Sequence, residues 1–169
     1  MIYDERSIEE LYRQNLDKAC KLLATLPVAE GREPRIKGLS GWVFQQTIRY
    51  CLSQELRSLG LSPEFREEVP LVNKAKVDLL VGGVVAIEIK SRGGFNKGYT
   101  EKYKRYKAEA EKRGWVYFYL TGSESYEPYR KEAISTFGED RAFFLDKEGD
   151  WARFINEIVK ILLNQKEES

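Results

Sequence analysis

Histidine is absent from the 169 residues of this chain, and that absence excludes more than any motif that is present. Serine-histidine and cysteine-histidine nucleophiles, imidazole-ligated zinc and histidine general bases are all ruled out. Cysteine is scarce. Cys20 and Cys51 lack metal-ligand spacing and sit in amphipathic, helix-like runs, so they read as packing residues of a reducing compartment. Net charge is nearly absent as well, +1 from 28 Lys and Arg against 27 Asp and Glu, so overall charge selects neither a nucleic acid nor a membrane as partner. No run approaches ~18 uninterrupted apolar residues, and the opening MIYDERSIEE is charged, so a cytoplasmic protein with no membrane partner is expected. Glycine loops of the mononucleotide or dinucleotide phosphate-binding kind are missing too. Any chemistry must come from carboxylates, lysine and a bound ion.

What is there reads as one domain over residues 1–169, without a break in composition. Ser7 to Glu10 has the form of a capping box, and Ile8, Leu11, Tyr12, Leu16, Ala19, Leu22 and Leu23 follow at helical spacing up to Pro27. A Gly, Pro and basic loop (28–38) leads to Ser40, the expected N-cap of a second helix from Gly41 to Leu59, with Gly60 placed to end it. Pro63 to Val72, Lys76 to Val81 and Val84 to Lys90 read as an antiparallel meander whose last turn is Gly82-Gly83. Beyond it come a charged helix (Lys97 to Arg113), the strand WVYFYLTG, a helix (Tyr126 to Phe137), a strand (RAFFLD, 141–146) and a final helix (Trp151 to Leu163). The tail NQKEES is expected to fray. The strand, helix, strand passages imply parallel pairing after the meander, hence an α/β fold with a mixed sheet flanked by helices.

Asp78, Glu88 and Lys90 stand in the most hydrophobic stretch of the chain, KVDLLVGGVVAIEIKSR (76–92). Charge on a buried strand is costly unless it is paired or binds a cation. Glu88 and Lys90 are two apart and share a face of their strand, while the turn brings Asp78 alongside. Two carboxylates with a backbone carbonyl such as that of Ile89, and waters, suit magnesium or manganese and make a poor zinc cage. The bland alternative is a cross-strand ion pair on an exposed face, worth ~0.2 to 1 kcal/mol.

VDLLV followed by AIEIK resembles the signature of the PD-(D/E)XK nuclease superfamily, with Val77-Asp78 in the place of the PD and Glu88-Ile89-Lys90 in that of the ExK. The order helix, three strands, helix, strand over residues 41–121 is similar to that family's restriction endonuclease-like core, here with additional N- and C-terminal helices. The resemblance implies magnesium-dependent hydrolysis of DNA phosphodiesters, with Asp78 and Glu88 as metal ligands and Lys90 as the catalytic lysine. Many members also carry a metal-binding glutamate on the helix before the meander, and this chain departs from them. At 100° per residue Gln45 flanks the apolar stripe of that helix and Gln46 points away, so Gln45 is the candidate for its place. The same stretch is similar to archaeal Holliday-junction resolvases, although their helix glutamate is not reproduced after Lys37-Gly38. Lys102-x-x-x-Tyr106 partly matches a Q-x-x-x-Y pattern of RecB-type and phage exonucleases.

From Arg92 to Arg113 there are eight Lys and Arg against three Glu, whereas from Gly122 onward seven basic residues face eleven acidic ones. The basic segment is where a phosphate backbone is expected to lie. Arg92, Lys97, Lys102, Arg105 and Tyr106 are its candidate contacts, with Arg35 and Lys37 (and Arg32) as the other wall. Individually these lysines and arginines read as solvated helix charges paired with Glu101 or Glu111, and Tyr103 and Tyr106 as packing residues. Trp42, Trp115 and Trp151 read as core or interface residues. A single active site cuts one strand, so a nuclease of this size would cut both strands only as a homodimer. The rival reading is a DNA-binding module of the same fold with little catalysis.

Overall fold

A computed structural model describes residues 1–28 and 38–168. The order of elements is α1 (Glu5–Ala24), α2 (Leu39–Ser58), β1 (Phe65–Val72), β2 (Ala75–Val81), β3 (Val85–Lys90), α3 (Lys97–Lys112), β4 (Val116–Thr121), α4 (Glu127–Phe137), β5 (Ala142–Phe144) and α5 (Asp150–Glu168). One five-stranded sheet runs β1-β2-β3-β4-β5. The first three strands pair antiparallel, and β3, β4 and β5 pair parallel. The expected mixed α/β sheet is therefore present.

Alternation along the strands divides the core into two layers. Val85, Ile87 and Ile89 of β3, with Phe118 and Leu120 of β4, pack under α1, α2 and α5 around Ile8, Ile48, Leu52, Trp151 and Phe154. Ala86 of β3 and Tyr117 and Tyr119 of β4 face the other way, onto Tyr103 and Ala110 of α3 and Phe137 of α4. The layer toward α3 and α4 is strongly aromatic, with Phe137 stacked on Tyr119 at 5.1 Å and Phe95 on Tyr103 at 5.4 Å.

The outer end of the β1–β2 ribbon changes layer. Phe65, Leu79 and Val81 pack under α2 and α5, yet Val69, Leu71 and Val77 join the layer of α3. The changeover falls at Glu68, which has left-handed backbone (φ 51) and lies between the cross-strand pairs Glu67–Leu79 and Val69–Val77, hence opposite Asp78. A side chain in that region is sterically disfavoured and costs on the order of 1 kcal/mol. The interrupted alternation turns the ribbon over toward α3. Arg113 holds it there, with its guanidinium donating to the Pro70 and Leu71 carbonyls and lying 5.2 Å over the Trp115 ring.

Several local expectations need correction. The N-cap of α1 is Asp4 and not Ser7: the Asp4 carboxylate accepts the Ser7 N–H at 2.8 Å, and the Ser7 hydroxyl takes the Asp4 N–H at 2.9 Å, so serine is the reciprocal member of the box. Helix α2 is capped by Gly38 in left-handed backbone (φ 93), with Ser40 already inside it. Leu59, expected as the last residue of that helix, is its C-cap and is exposed. Helix α5 continues through the tail to Glu168. Trp42 lies on the surface, whereas Trp151 is fully buried. No helix among the described residues is long and apolar enough to cross a membrane.

Candidate active site

Strands β2 and β3 part company just before Asp78. Their pairing runs from Val81–Val85 through Leu80–Ala86 to Leu79–Ile87, and the next step would set Asp78 against Glu88. There the Asp78 carboxylate enters the fork and accepts the Ile89 N–H at 2.7 Å. N–H and C=O of one residue in an extended strand point to the same flank. The Ile89 carbonyl therefore faces the fork too, while the neighbouring Lys90 carbonyl accepts Gly122 N–H on the β4 side.

Glu88 lies beside this fork, 6% exposed at the floor of the aromatic layer. Its carboxylate accepts the Tyr117 hydroxyl at 3.2 Å and the Tyr103 hydroxyl at 3.5 Å, and the Lys90 ammonium stands 3.4 Å away. Burial pushes the Asp78 carboxyl up to about 7, the Glu88 charge adds to the effect, and the Ile89 N–H and Lys90 oppose it. Glu88 is raised as well, by burial first, against Lys90 and the Tyr117 hydroxyl. Burial and the same carboxylates raise the Tyr103 and Tyr117 hydroxyls, which stay neutral donors. The two acids thus repel one another in a place that Lys90 alone leaves short of positive charge.

Gln45 belongs to the site, in a role the sequence did not specify. It is 8% exposed, and its amide nitrogen donates to the Asp78 carbonyl at 3.1 Å and approaches Glu68 Oε1 at 3.4 Å. It steadies the backbone of Asp78 and does not extend the carboxylate pair. Gln46 points away, as its helical position requires, and meets Glu67, which also pairs with Arg49 at 2.7 Å. Glu68 itself was missed. Nothing in FREEVPLV marks a left-handed residue when no glycine occupies it.

The basic segment does not form one surface. Lys104 pairs with Glu101 and Lys112 with Glu109, Lys107 reaches the Thr136 carbonyl, and Arg113 is held on β1. Lys102 and Arg105, with Tyr106, line a cleft of about 850 Å³ that ends at Glu88. Arg92 lines a separate cavity of about 70 Å³ on the other side of the pair, between Lys90, the Gly93-Gly94 loop and Tyr99. Arg35, Lys37 and Arg32, together with the side chain of Lys97, lie outside the described residues. The wall facing α3 across the larger cleft is the β1–β2 turn, with Lys74 and Lys76.

Loops beyond the parallel strands fix Lys90 from behind. Gly93 N–H donates to the Ser123 carbonyl at 2.6 Å and Gly94 N–H to the Glu124 carboxylate at 2.5 Å. A Cβ on Gly93 would come within 1.9 Å of that carboxylate, so only glycine fits. Glu124 is itself held by Asp146 at its N–H and by Arg130 at its carbonyl, and those two pair at 2.7 Å.

Among the described residues no group of three or more His, Cys, Asp or Glu side chains is gathered for a metal ion. The donors on hand, Asp78, Glu88 and the Ile89 carbonyl, are all hard oxygens. That set fits a cation that retains several waters, as magnesium does, and no softer metal. No family model, curated protein or solved structure matches this chain.

Proposed function

We propose that this protein is a metal-dependent nuclease that hydrolyses DNA phosphodiesters, with a restriction endonuclease-like core formed by α2, β1, β2, β3, α3 and β4. The observation that carries this reading is the convergence of Asp78, Glu88 and Lys90 at the fork between β2 and β3, where burial raises the proton affinity of both carboxylates and the Glu88 charge adds to that of Asp78. Perturbed acids of this kind concentrate at functional sites. The element order agrees with that of the superfamily which the sequence resembles.

Asp78, Glu88 and the Ile89 carbonyl would hold the ion. Bound there, magnesium or manganese supplies Lewis-acid polarisation of a phosphoryl oxygen and a more acidic water. The chain's own residues do the rest. Ile89 N–H and Gln45 fix Asp78 from its side chain and its backbone. Tyr117 and Tyr103 hold Glu88 in one orientation. The Lys90 ammonium faces the charge that builds on the phosphoryl oxygens as water adds and the bond to the leaving oxygen breaks.

A second reading, a DNA-binding module with little catalysis, draws on Gln45, because its amide is engaged with backbone where relatives of the resembled family place a carboxylate. Incubation with supercoiled, linear and branched DNA plus magnesium or manganese separates the two. Nicking that needs the metal and disappears in Glu88→Ala and Lys90→Ala supports the nuclease. Salt-dependent binding without cleavage under either metal overturns it in favour of the module.

A further inference from the structure

We infer that the cleft between α3 and the β1–β2 turn receives an unpaired DNA strand, so that the substrate is single-stranded DNA or a single-stranded extension and not an intact duplex. The inference rests on the nuclease reading for its catalytic end, at Glu88, but it stands on the shape and charge of the cleft. Lys74 and Lys76 project from one wall, Lys102 and Arg105 from the other. Lys74, Lys76 and Arg105 form no ion pair among the described residues, unlike Lys104 and Lys112 on the outer face of the same helix. Four cations line the gap against two acids, Glu88 at its floor and Glu109, which pairs with Lys112. Such a gap suits a polyanion.

Depth decides which polyanion. Glu88 is 6% exposed, so a phosphate that reaches it must descend below the protein surface between two walls. The cleft has room for about 850 Å³, which accommodates a few nucleotides of one strand, and on this inference the second strand of a duplex has no place beside it. Arg113 ties the carboxyl end of α3 to the Pro70 and Leu71 carbonyls, which keeps the walls from spreading. Half-buried Tyr106 supplies an aromatic face in the cleft, and Lys102 Nζ lies 5.7 Å from its ring. A basic groove with an aromatic face is the arrangement that holds single strands by their backbone and bases.

The test compares a fluorescent oligo-dT with a blunt hairpin duplex of equal charge, by anisotropy in EDTA, and then follows cleavage of both in magnesium and manganese. At least tenfold tighter binding of oligo-dT, a loss of tenfold or more in Lys74→Glu/Lys76→Glu and in Arg105→Glu, and a shallower salt slope in each variant are expected. A Lys104→Glu control on the outer face should bind as the parent does. Equal or tighter binding of the duplex, or unchanged oligo-dT affinity in the charge-reversed variants with far-ultraviolet circular dichroism intact, overturns the inference even if the protein cuts DNA. Selective binding of oligo-dT without cleavage upholds it while the nuclease reading falls.

Discussion

Glu55 and Glu88 are both buried, and their surroundings differ in one respect. Glu55 on α2 is 1% exposed and accepts the Ile2 N–H at 2.6 Å and the Trp151 indole N–H at 3.1 Å, one donor for each oxygen. It ties the chain's beginning, α2 and α5 together on the side of the sheet that α1, α2 and α5 cover. Glu88, in the aromatic layer, has donors too, but it shares its space with a second carboxylate. Glu55 is satisfied by the protein alone. Glu88 and Asp78 together are not, and the proposed function turns on that difference.

The sharpest way to break the comparison is to remove each acid in turn. Glu88→Ala, and Lys90→Ala beside it, should lower metal-dependent DNA cleavage on the order of 10²- to 10³-fold, measured as nicking of supercoiled plasmid, with thermal stability held or raised. Glu55→Ala should do the reverse. Leaving the buried Trp151 indole N–H unpaired, with the more exposed Ile2 N–H released to water, is expected to cost about 1 to 3 kcal/mol in urea unfolding, while cleavage per folded molecule persists. Loss of cleavage in Glu55→Ala at full stability would remove the distinction.

A smaller effect is expected from Asp78→Asn in the metal-free protein. The Asp78 carboxyl is raised from 3.8 to about 7, so its contribution to stability is complete below the lower value and is lost as pH rises through the higher one. The parent should therefore weaken between about pH 4 and 7 relative to the variant. At pH 8 Asp78→Asn should be the more stable, by an amount on the order of 1 to 3 kcal/mol, with the gap closing on addition of manganese to the parent. Guanidinium titrations at pH 4.5 and 8 read the sign directly. The smallest effect belongs to Lys104→Ala and Lys112→Ala, whose ion pairs are exposed. Each should change stability by less than ~0.5 kcal/mol and oligo-dT affinity hardly at all.

Much of the site was legible in the sequence because it follows from period. The two-residue spacing of Glu88 and Lys90 fixes a common face on any strand, and the 100° turn of a helix separates Gln45 from Gln46 without reference to the rest of the fold. Long apolar runs flanked by glycine gave β2, β3 and β4 for the same reason. What could not be read depends on tertiary partners. Glu55 stands on the apolar stripe of α2 by the same spacing, four residues after Cys51 and three after Leu52, but the Trp151 and Ile2 donors that make a charge tolerable there lie far along the chain and could not be read from it. The left-handed Glu68 carries no glycine to announce it, so the overturned ribbon and its Lys74 and Lys76 were invisible. The charge excess of residues 92–113 was counted correctly, but counting treats Arg113, fastened to β1, and Arg105, open to the cleft, as equals.

One missing methyl group has reach beyond its own position. Because Gly93 leaves room for the Glu124 carboxylate, the segment following Lys90 is locked to the segment following β4, and through Asp146 and Arg130 to α4 and the end of β5. Three loops at the carboxyl edge of the sheet behave as a single rigid collar. An alanine there would push Glu124 aside, slacken the collar, and loosen the ammonium of Lys90 although Asp78, Glu88 and Lys90 themselves remained unchanged.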